Sequence, residues 1–132
     1  SGVADDDYKN RLTPQQYAVL RQGDTEAPFS GKLLNNKEQG TYKCAACGAE
    51  LFGSETKYSS APNEPNAGWP HFWKPTDEKN IKALDDSSHG MERTEVKCAV
   101  CDSHLGHVFT DSHTPSGQQY CINSCALDFK KS

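Results

Sequence analysis

Four of the six cysteines in this 132-residue chain stand as two short doublets, Cys44 with Cys47 and Cys98 with Cys101, about 50 residues apart. Each doublet sets two sulfurs on one tight turn. Tetrahedral zinc takes four ligands at sulfur distances of about 2.3 Å, and paired knuckles of this kind supply them. Four thiolates close the coordination sphere, so the expected role is a single structural zinc that pins a loop-rich fold with a small core. A disulfide framework rarely arranges its cysteines this way, and a redox doublet would need a βαβ pattern that the chain lacks. A competing ligand set, Cys98, Cys101, His104 and His107 from "CAVCDSHLGHVF", would leave Cys44 and Cys47 idle.

The length suits one domain, residues 1–132, with one core of moderate size. A net charge of -4, with acids and bases interspersed, offers no broad positive surface for nucleic acid. No apolar run approaches the roughly 18 residues of a membrane span, and "SGVADDDYKN" lacks the basic start and apolar stretch of a secretory signal. The expectation is a soluble, cytoplasmic monomer that touches neither nucleic acid nor membrane; a removed organelle presequence would leave no trace in this sequence.

In "RLTPQQYAVLRQGDT", Thr13 is placed to cap a helix, with Pro14 at its first position, Gln16 completing a capping box and Gly23 after the last turn. A helix over Pro14–Arg21 would pack Tyr17, Val19 and Leu20 on the core. Beyond it, turn signals recur at short intervals around strand-like stretches such as "TEVKCAV", "HVF" and "QQYCI". The fold class expected is mainly β, antiparallel, with an N-terminal helix. The segment "YSSAPNEPNAGWPHFWKPTDEKN" holds four prolines and both tryptophans and reads as a long loop rather than a central strand. Its Trp69 and Trp73 either anchor that loop or wall a binding site.

Cys121 and Cys125 remain outside the zinc set. Free thiols beside strands are buried hydrophobes or reactive groups. Cys121 keeps the company of Asn123 and of two histidines, His104 and His107, in a segment where Gly106 permits a bend that would let both rings converge.

The strings "GTYKCAACGAELF", "GWPHF", "RTEVKCAVCDSHLGHVF" and "YCINS" resemble, in order and spacing, the B-type methionine sulfoxide reductases, and the likeness runs from "LTPQQYAVLRQGDTE" to "LDF". What the resemblance implies is a fold of two antiparallel β-sheets, barrel-like, with short helices and a structural zinc on Cys44, Cys47, Cys98 and Cys101. It implies reduction of the R epimer of methionine sulfoxide, by preference within oxidised proteins or peptides. By resemblance Cys121 is the nucleophile, His104 and His107 are active-site histidines, Asn123 is the active-site amide, Trp69 receives the substrate methyl and Phe109 belongs to the same wall.

The residue types suit that chemistry. A thiol attacking the sulfoxide sulfur must shed a proton, and the departing oxygen must gain one, for which a histidine titrating near neutrality is a natural source. Asn123 would hold the histidines or the oxygen through its amide. An indole offers the methyl an apolar wall while polar groups opposite take the oxygen, which selects one epimer at sulfur. The product is methionine and a sulfenic acid on Cys121 that a further thiol must reset.

Four positions depart from the family's usual pattern. Ala67 stands where a resolving cysteine often precedes "GWP", His71 replaces the small residue after it, Gln119 replaces an arginine before the Tyr of "YCINS", and Thr110 replaces the first of two acids after "HVF". His71 and Gln119 are carried as substrate-contacting positions. Without the usual partner, either Cys125 resolves the sulfenic acid or an external thiol does; thioredoxin is the reductant the resemblance supplies, with glutaredoxin or glutathione as alternatives. Four residues of extended strand span roughly 13 Å, beyond the roughly 4.4 to 6.8 Å between Cα atoms that a disulfide allows, so Cys125 comes within reach only if the chain turns through "INSC". A zinc-ribbon binding module and a zinc hydrolase are the rival readings; the first has no use for Cys121 and its histidines, the second needs an open zinc position.

Overall fold

The computed structural model describes residues 5–59, 61–64, 66–87 and 93–132. Its first helix, α1 over Asp5–Arg11, has no counterpart in the sequence reading. The run "DDDYKNR" carries no apolar periodicity; the segment is held by tertiary contact, with Tyr8 and Leu12 buried and the Arg21 guanidinium 4.4 Å above the Tyr8 ring. The second helix, α2 over Pro14–Gln22, forms where its caps direct it. Thr13 Oγ1 accepts from the Gln16 N–H at 3.1 Å, and Gln16 Oε1 accepts from the Thr13 N–H at 3.0 Å. Gly23 ends the helix at φ 76°, and such caps are each worth about 1 kcal/mol.

Nine strands follow among the described residues: β1 Gly40–Cys44, β2 Glu50–Gly53, β3 Lys57–Tyr58, β4 His71–Phe72, β5 Ile81–Asp86, β6 Arg93–Cys98, β7 His104–Thr110, β8 Gln118–Ile122 and β9 Leu127–Lys131. They build two antiparallel sheets, a three-stranded one ordered β2-β1-β9 and a six-stranded one ordered β3-β4-β8-β7-β6-β5. The mainly β expectation holds, but the barrel-like closure does not: among the described residues β3 and β5 end the larger sheet and do not pair with each other. Side chains join the sheets instead. Phe52 of β2 stacks on Phe72 of β4 at 4.5 Å between centroids, Tyr42 of β1 meets the Phe72 ring edge-on at 5.0 Å, and Tyr120 of β8 leans on Phe52 at 5.6 Å. Burial of these large rings supplies much of the core's apolar area.

The proline-rich segment is mostly turn and bend, as expected, with one difference. His71 and Phe72 pair with β3 on one side and β8 on the other, so these two residues of the expected loop, with Tyr58 at its start, belong to the sheet. A strand this short escapes sequence patterns because its proline neighbour contributes only a carbonyl, the Pro70 oxygen accepting from the Ile122 N–H at 3.0 Å.

Register divides the larger sheet into a core face and a chemical face. Phe72, Tyr120 and Val108 align across β4, β8 and β7, as do Ile122, Gly106 and Val96 across β8, β7 and β6. The alternate residues form one row on the opposite face: Tyr58, His71, Cys121, His107 and Glu95. Successive side chains on a strand point to opposite faces, so the same alternation that buries the core turns this row away from it.

Candidate active site

The two cysteine doublets are built alike. β1 ends at Cys44 and β6 at Cys98; the Gly48 N–H donates to the Cys44 carbonyl at 2.8 Å, and the Asp102 N–H to that of Cys98 at 2.9 Å. Both turns close through a left-handed residue, Gly48 at φ 83° and Asp102 at φ 66°. The four sulfurs lie within 4.8 Å of one another, with Cys44 to Cys101 at 3.7 Å and Cys47 to Cys98 at 3.6 Å. A tetrahedron with bonds of about 2.3 Å has edges of about 3.8 Å, so the donor set suits zinc. The hydrogen bond from Cys44 holds the Cys101 thiol far below its usual range, and the contacts with Cys101 and Cys98 push Cys44 up in turn. Three of the four are buried; Cys47 is exposed.

At the centre of the chemical face, Cys121 on β8 faces His107 on β7 and His71 on β4. Gly106 is required between them. A Cβ at that position would collide with the Cys121 carbonyl, so only glycine lets β7 approach β8 this closely. The pairing of β6 with β7 also shifts here, from Val96 opposite Gly106 to Lys97 opposite His104, so that Leu105 bulges. This irregularity brings the two imidazoles to one side of the sheet, with ring centroids 5.6 Å apart.

Each histidine has a carboxylate partner. His104 Nδ1 is 2.6 Å from Glu95 Oε2, and His107 Nε2 is 2.8 Å from Asp86 Oδ2. A carboxylate only accepts, so each of these nitrogens carries the proton and the other ring nitrogen is set as the acceptor. Arg93, directly opposite Asp86 on β6, approaches it at 3.6 Å. Burial lowers the pKa of His104, with Glu95 opposing the shift. Its Nε2 is buried and has no hydrogen-bond partner among the described residues.

A cleft of about 100 Å³ opens over Cys121, walled by Trp69 and Phe109 and edged by Thr25, Asn66, Arg93, His107 and Asn123. Glu26 holds its parts together. The Glu26 carbonyl accepts from Trp69 Nε1 at 3.0 Å and fixes the indole plane, and the Glu26 N–H donates to Asn123 Oδ1 at 3.0 Å. Asn123 Nδ2 in turn donates to the Leu105 carbonyl at 2.9 Å, directly on the bulge. Asn123 thus lines the cleft with its amide already engaged on both ends, as a clamp on the strand that carries the histidines. Burial, reinforced by the Glu26 carboxylate, pushes the Cys121 thiol up to about 12.

A SelR domain model matches residues 12–131. The chain is 52% identical over 128 residues to a peptide methionine sulfoxide reductase MsrB of Leptospira interrogans, covering 97% of this chain and 94% of that protein. A relative of the same name from Synechococcus sp. is 50% identical over 97% of this chain and 90% of its own length, and one from Methanosarcina mazei is 52% identical over 97% and 88%. The chain belongs to the B-type methionine sulfoxide reductases, and it is an oxidoreductase.

Within this methionine sulfoxide reductase, the positions that depart from the family pattern are built into the structure. Gln119 is buried and does not line the cleft; its Nε2 donates to Asp111 Oδ2 at 3.2 Å, and its Oε1 accepts from Asn66 Nδ2 at 2.6 Å. The amide at position 119 and the acid at position 111 therefore belong to one network, which Tyr58 completes by donating to Asp111 at 3.0 Å. His71 is buried and lines a neighbouring cavity with Ala67. The chain does turn after Asn123, through a 3-10 turn over Ser124–Ala126, but Cys125 lines a separate groove with Thr13, Gln16 and Leu127. Its backbone N–H donates to Glu26 Oε1 at 2.9 Å, and its thiol is pushed up to about 12 by burial and by that carboxylate.

Glu26, Asp86, Arg93 and Glu95 were missed by sequence reasoning. Arg93 and Glu95 alternate on one strand and carry a period-two signal, yet only the register with β7 shows which histidine an acid meets. Glu26 lies in a loop with no periodic signal at all.

No helix among the described residues is long and apolar enough to cross a membrane.

Proposed function

We propose that this protein, acting as one domain, reduces the R epimer of methionine sulfoxide in oxidised proteins and peptides, with Cys121 as the nucleophile and a structural zinc on Cys44, Cys47, Cys98 and Cys101. The observation that carries the reading is the direct pairing of Cys121 with His107 beneath the cleft walled by Trp69 and Phe109. Zinc held by these four cysteines would supply rigidity, tying the end of β1 to the end of β6, and four thiolates would leave it no open position for the reaction.

Substrate enters with its methyl against the Trp69 indole and its oxygen toward the histidine side. The Cys121 sulfur bonds to the sulfoxide sulfur as the oxygen is protonated; the oxygen then bonds to the Cys121 sulfur while its bond to the substrate sulfur and the new sulfur–sulfur bond break, which leaves Cys121 as a sulfenic acid and releases methionine. A thiol held at about 12 is a poor thiolate at neutral pH. The balance of the reaction removes the difficulty: the proton that Cys121 sheds is the one the oxygen needs, and His107 with His104 passes it between them. Asp86 and Glu95 orient the two rings and stabilise them when they carry charge. Asn123 acts as a positioning residue through Leu105.

An external thiol resets the enzyme. Cys125 lines a groove other than the Cys121 cleft, and its backbone is tied to Glu26, which favours thioredoxin, glutaredoxin or glutathione as the reductant over an internal disulfide. The test is a dithiothreitol-driven assay on separated R and S epimers of a methionine sulfoxide peptide, with native protein, Cys121→Ser and Cys125→Ser. Native protein and Cys125→Ser should reduce only the R epimer at rates within about threefold of each other. Reduction of the S epimer, or activity in Cys121→Ser, would contradict the reading.

A further inference from the structure

The flank of Cys121 opposite His107 is occupied by His71. The Pro70 carbonyl accepts from Ile122, which makes Pro70 with Ile122 a hydrogen-bonded position and leaves His71 and Cys121 as the adjacent non-hydrogen-bonded pair. Cα atoms in such pairs approach to about 4.5 Å, and their side chains are at their closest. The ring is 1% exposed and tilts against Tyr58 at 5.3 Å between centroids.

On its far side, His71 lines a cavity of about 140 Å³ together with Ala67, Trp69, Tyr58 and Phe29. Phe29 is 60% exposed at the rim, so this cavity communicates with solvent. Trp69 is shared with the cleft over Cys121, and Cys121 itself lines the cleft and not this cavity. Two adjoining hollows thus approach the same thiol, and on one side an imidazole stands where a small side chain would let them merge.

Resting on the proposed sulfenic acid, the consequence concerns the second reactant. A thiol must reach the Cys121 sulfur, form a sulfur–sulfur bond and release the oxygen as water; a second thiol then exchanges to free Cys121 and leave the oxidised reductant as a disulfide. We infer that His71 closes the approach from the Ala67 side, so that substrate and reducing thiol use the cleft under Trp69 in turn, methionine leaving before the thiol arrives. The cleft then selects the reductant by shape, admitting a thiol on a narrow carrier and rejecting one crowded at its carbon.

The test loads Cys121 with one equivalent of an R-sulfoxide peptide without thiol, measures the methionine released, and then mixes the protein with 2-mercaptoethanol or with penicillamine, whose thiol sits on a fully substituted carbon. The ratio of the two rates in native protein should exceed the ratio in His71→Gly by at least tenfold. Excess N-acetylmethionine amide should slow the thiol step at least fivefold in native protein and less than twofold in His71→Gly. Equal ratios, or equal inhibition, in the two proteins would overturn the inference. His71→Ser serves if the glycine variant loses its zinc, with smaller changes in the same directions and the same contrary result. Absence of released methionine in native protein would strike the reductase reading itself rather than His71.

Discussion

Two groups of thiols in this molecule differ in placement, and the proposed function reads that difference as structural against chemical sulfur. Cys44, Cys47, Cys98 and Cys101 sit at strand ends, where matching turns point four sulfurs at one another. Cys121 sits within a strand, with a histidine facing it from each neighbouring strand. In the first group the thiols perturb each other, and a shared cation would settle their charge. In the second a single half-buried thiol, on the proposed mechanism, keeps its proton until a substrate supplies an oxygen to receive it.

The largest effect expected from separating these roles is on the cluster. Structural zinc sites contribute on the order of 10 to 16 kcal/mol of apparent binding energy, against about 5 to 15 kcal/mol for the stability of a whole domain. Cys44→Ser should therefore lack zinc by elemental analysis and lose its cooperative thermal transition; a variant that melts like native protein would break the comparison. Cys121→Ser should do the reverse, keeping its zinc and its melting profile while losing on the order of a thousandfold or more in turnover.

A smaller effect sharpens the histidine side. Burial lowers the pKa of His104 and Glu95 counters it, so a proton-donating His104 loses its function as pH rises through that pKa. Glu95→Gln removes the opposing charge and lowers the pKa further, leaving His107 and Lys97 as the neighbours that disfavour the cation. The alkaline limb of the pH–rate profile should move to lower pH, with activity at neutral pH down by about tenfold or more. A limb that stays in place or moves to higher pH would remove Glu95 from the proton path.

The smallest effect is on the resting enzyme. A free cysteine titrates near about 8.5, whereas Cys121 is pushed up to about 12. Iodoacetamide labelling of Cys121, read by mass spectrometry, should still be rising with pH beyond about 9; a plateau by about pH 8 would mean that the free enzyme already holds a thiolate.

The sequence made some of this legible and hid the rest for physical reasons. The doublets of Cys44 with Cys47 and Cys98 with Cys101 are local, as are the caps of α2 at Thr13 and Gly23, and local signals survive reading one chain. Convergence of His104 and His107 was readable only as a possibility opened by Gly106, because it depends on a bulge created by pairing with β6. Glu26, Glu95 and Asp86 act across strands and loops, through contacts between residues distant in sequence, and no period or motif marks them. The short strand at His71 is the same kind of case: two residues beside Pro70 carry no strand signature, yet their register places an imidazole beside Cys121.

Trapping the product of a single turnover tests the division most directly. One equivalent of an R-sulfoxide peptide is added without any thiol, dimedone is used to capture sulfenic acid, and the modified residue is located by peptide mapping while zinc is measured in the same sample. Cys121 should carry the label in near-stoichiometric yield, with the four cluster cysteines unlabelled and zinc retained. Label on a cluster cysteine, zinc release during turnover, or methionine formed with Cys121 unmodified would contradict the separation of structural from chemical sulfur.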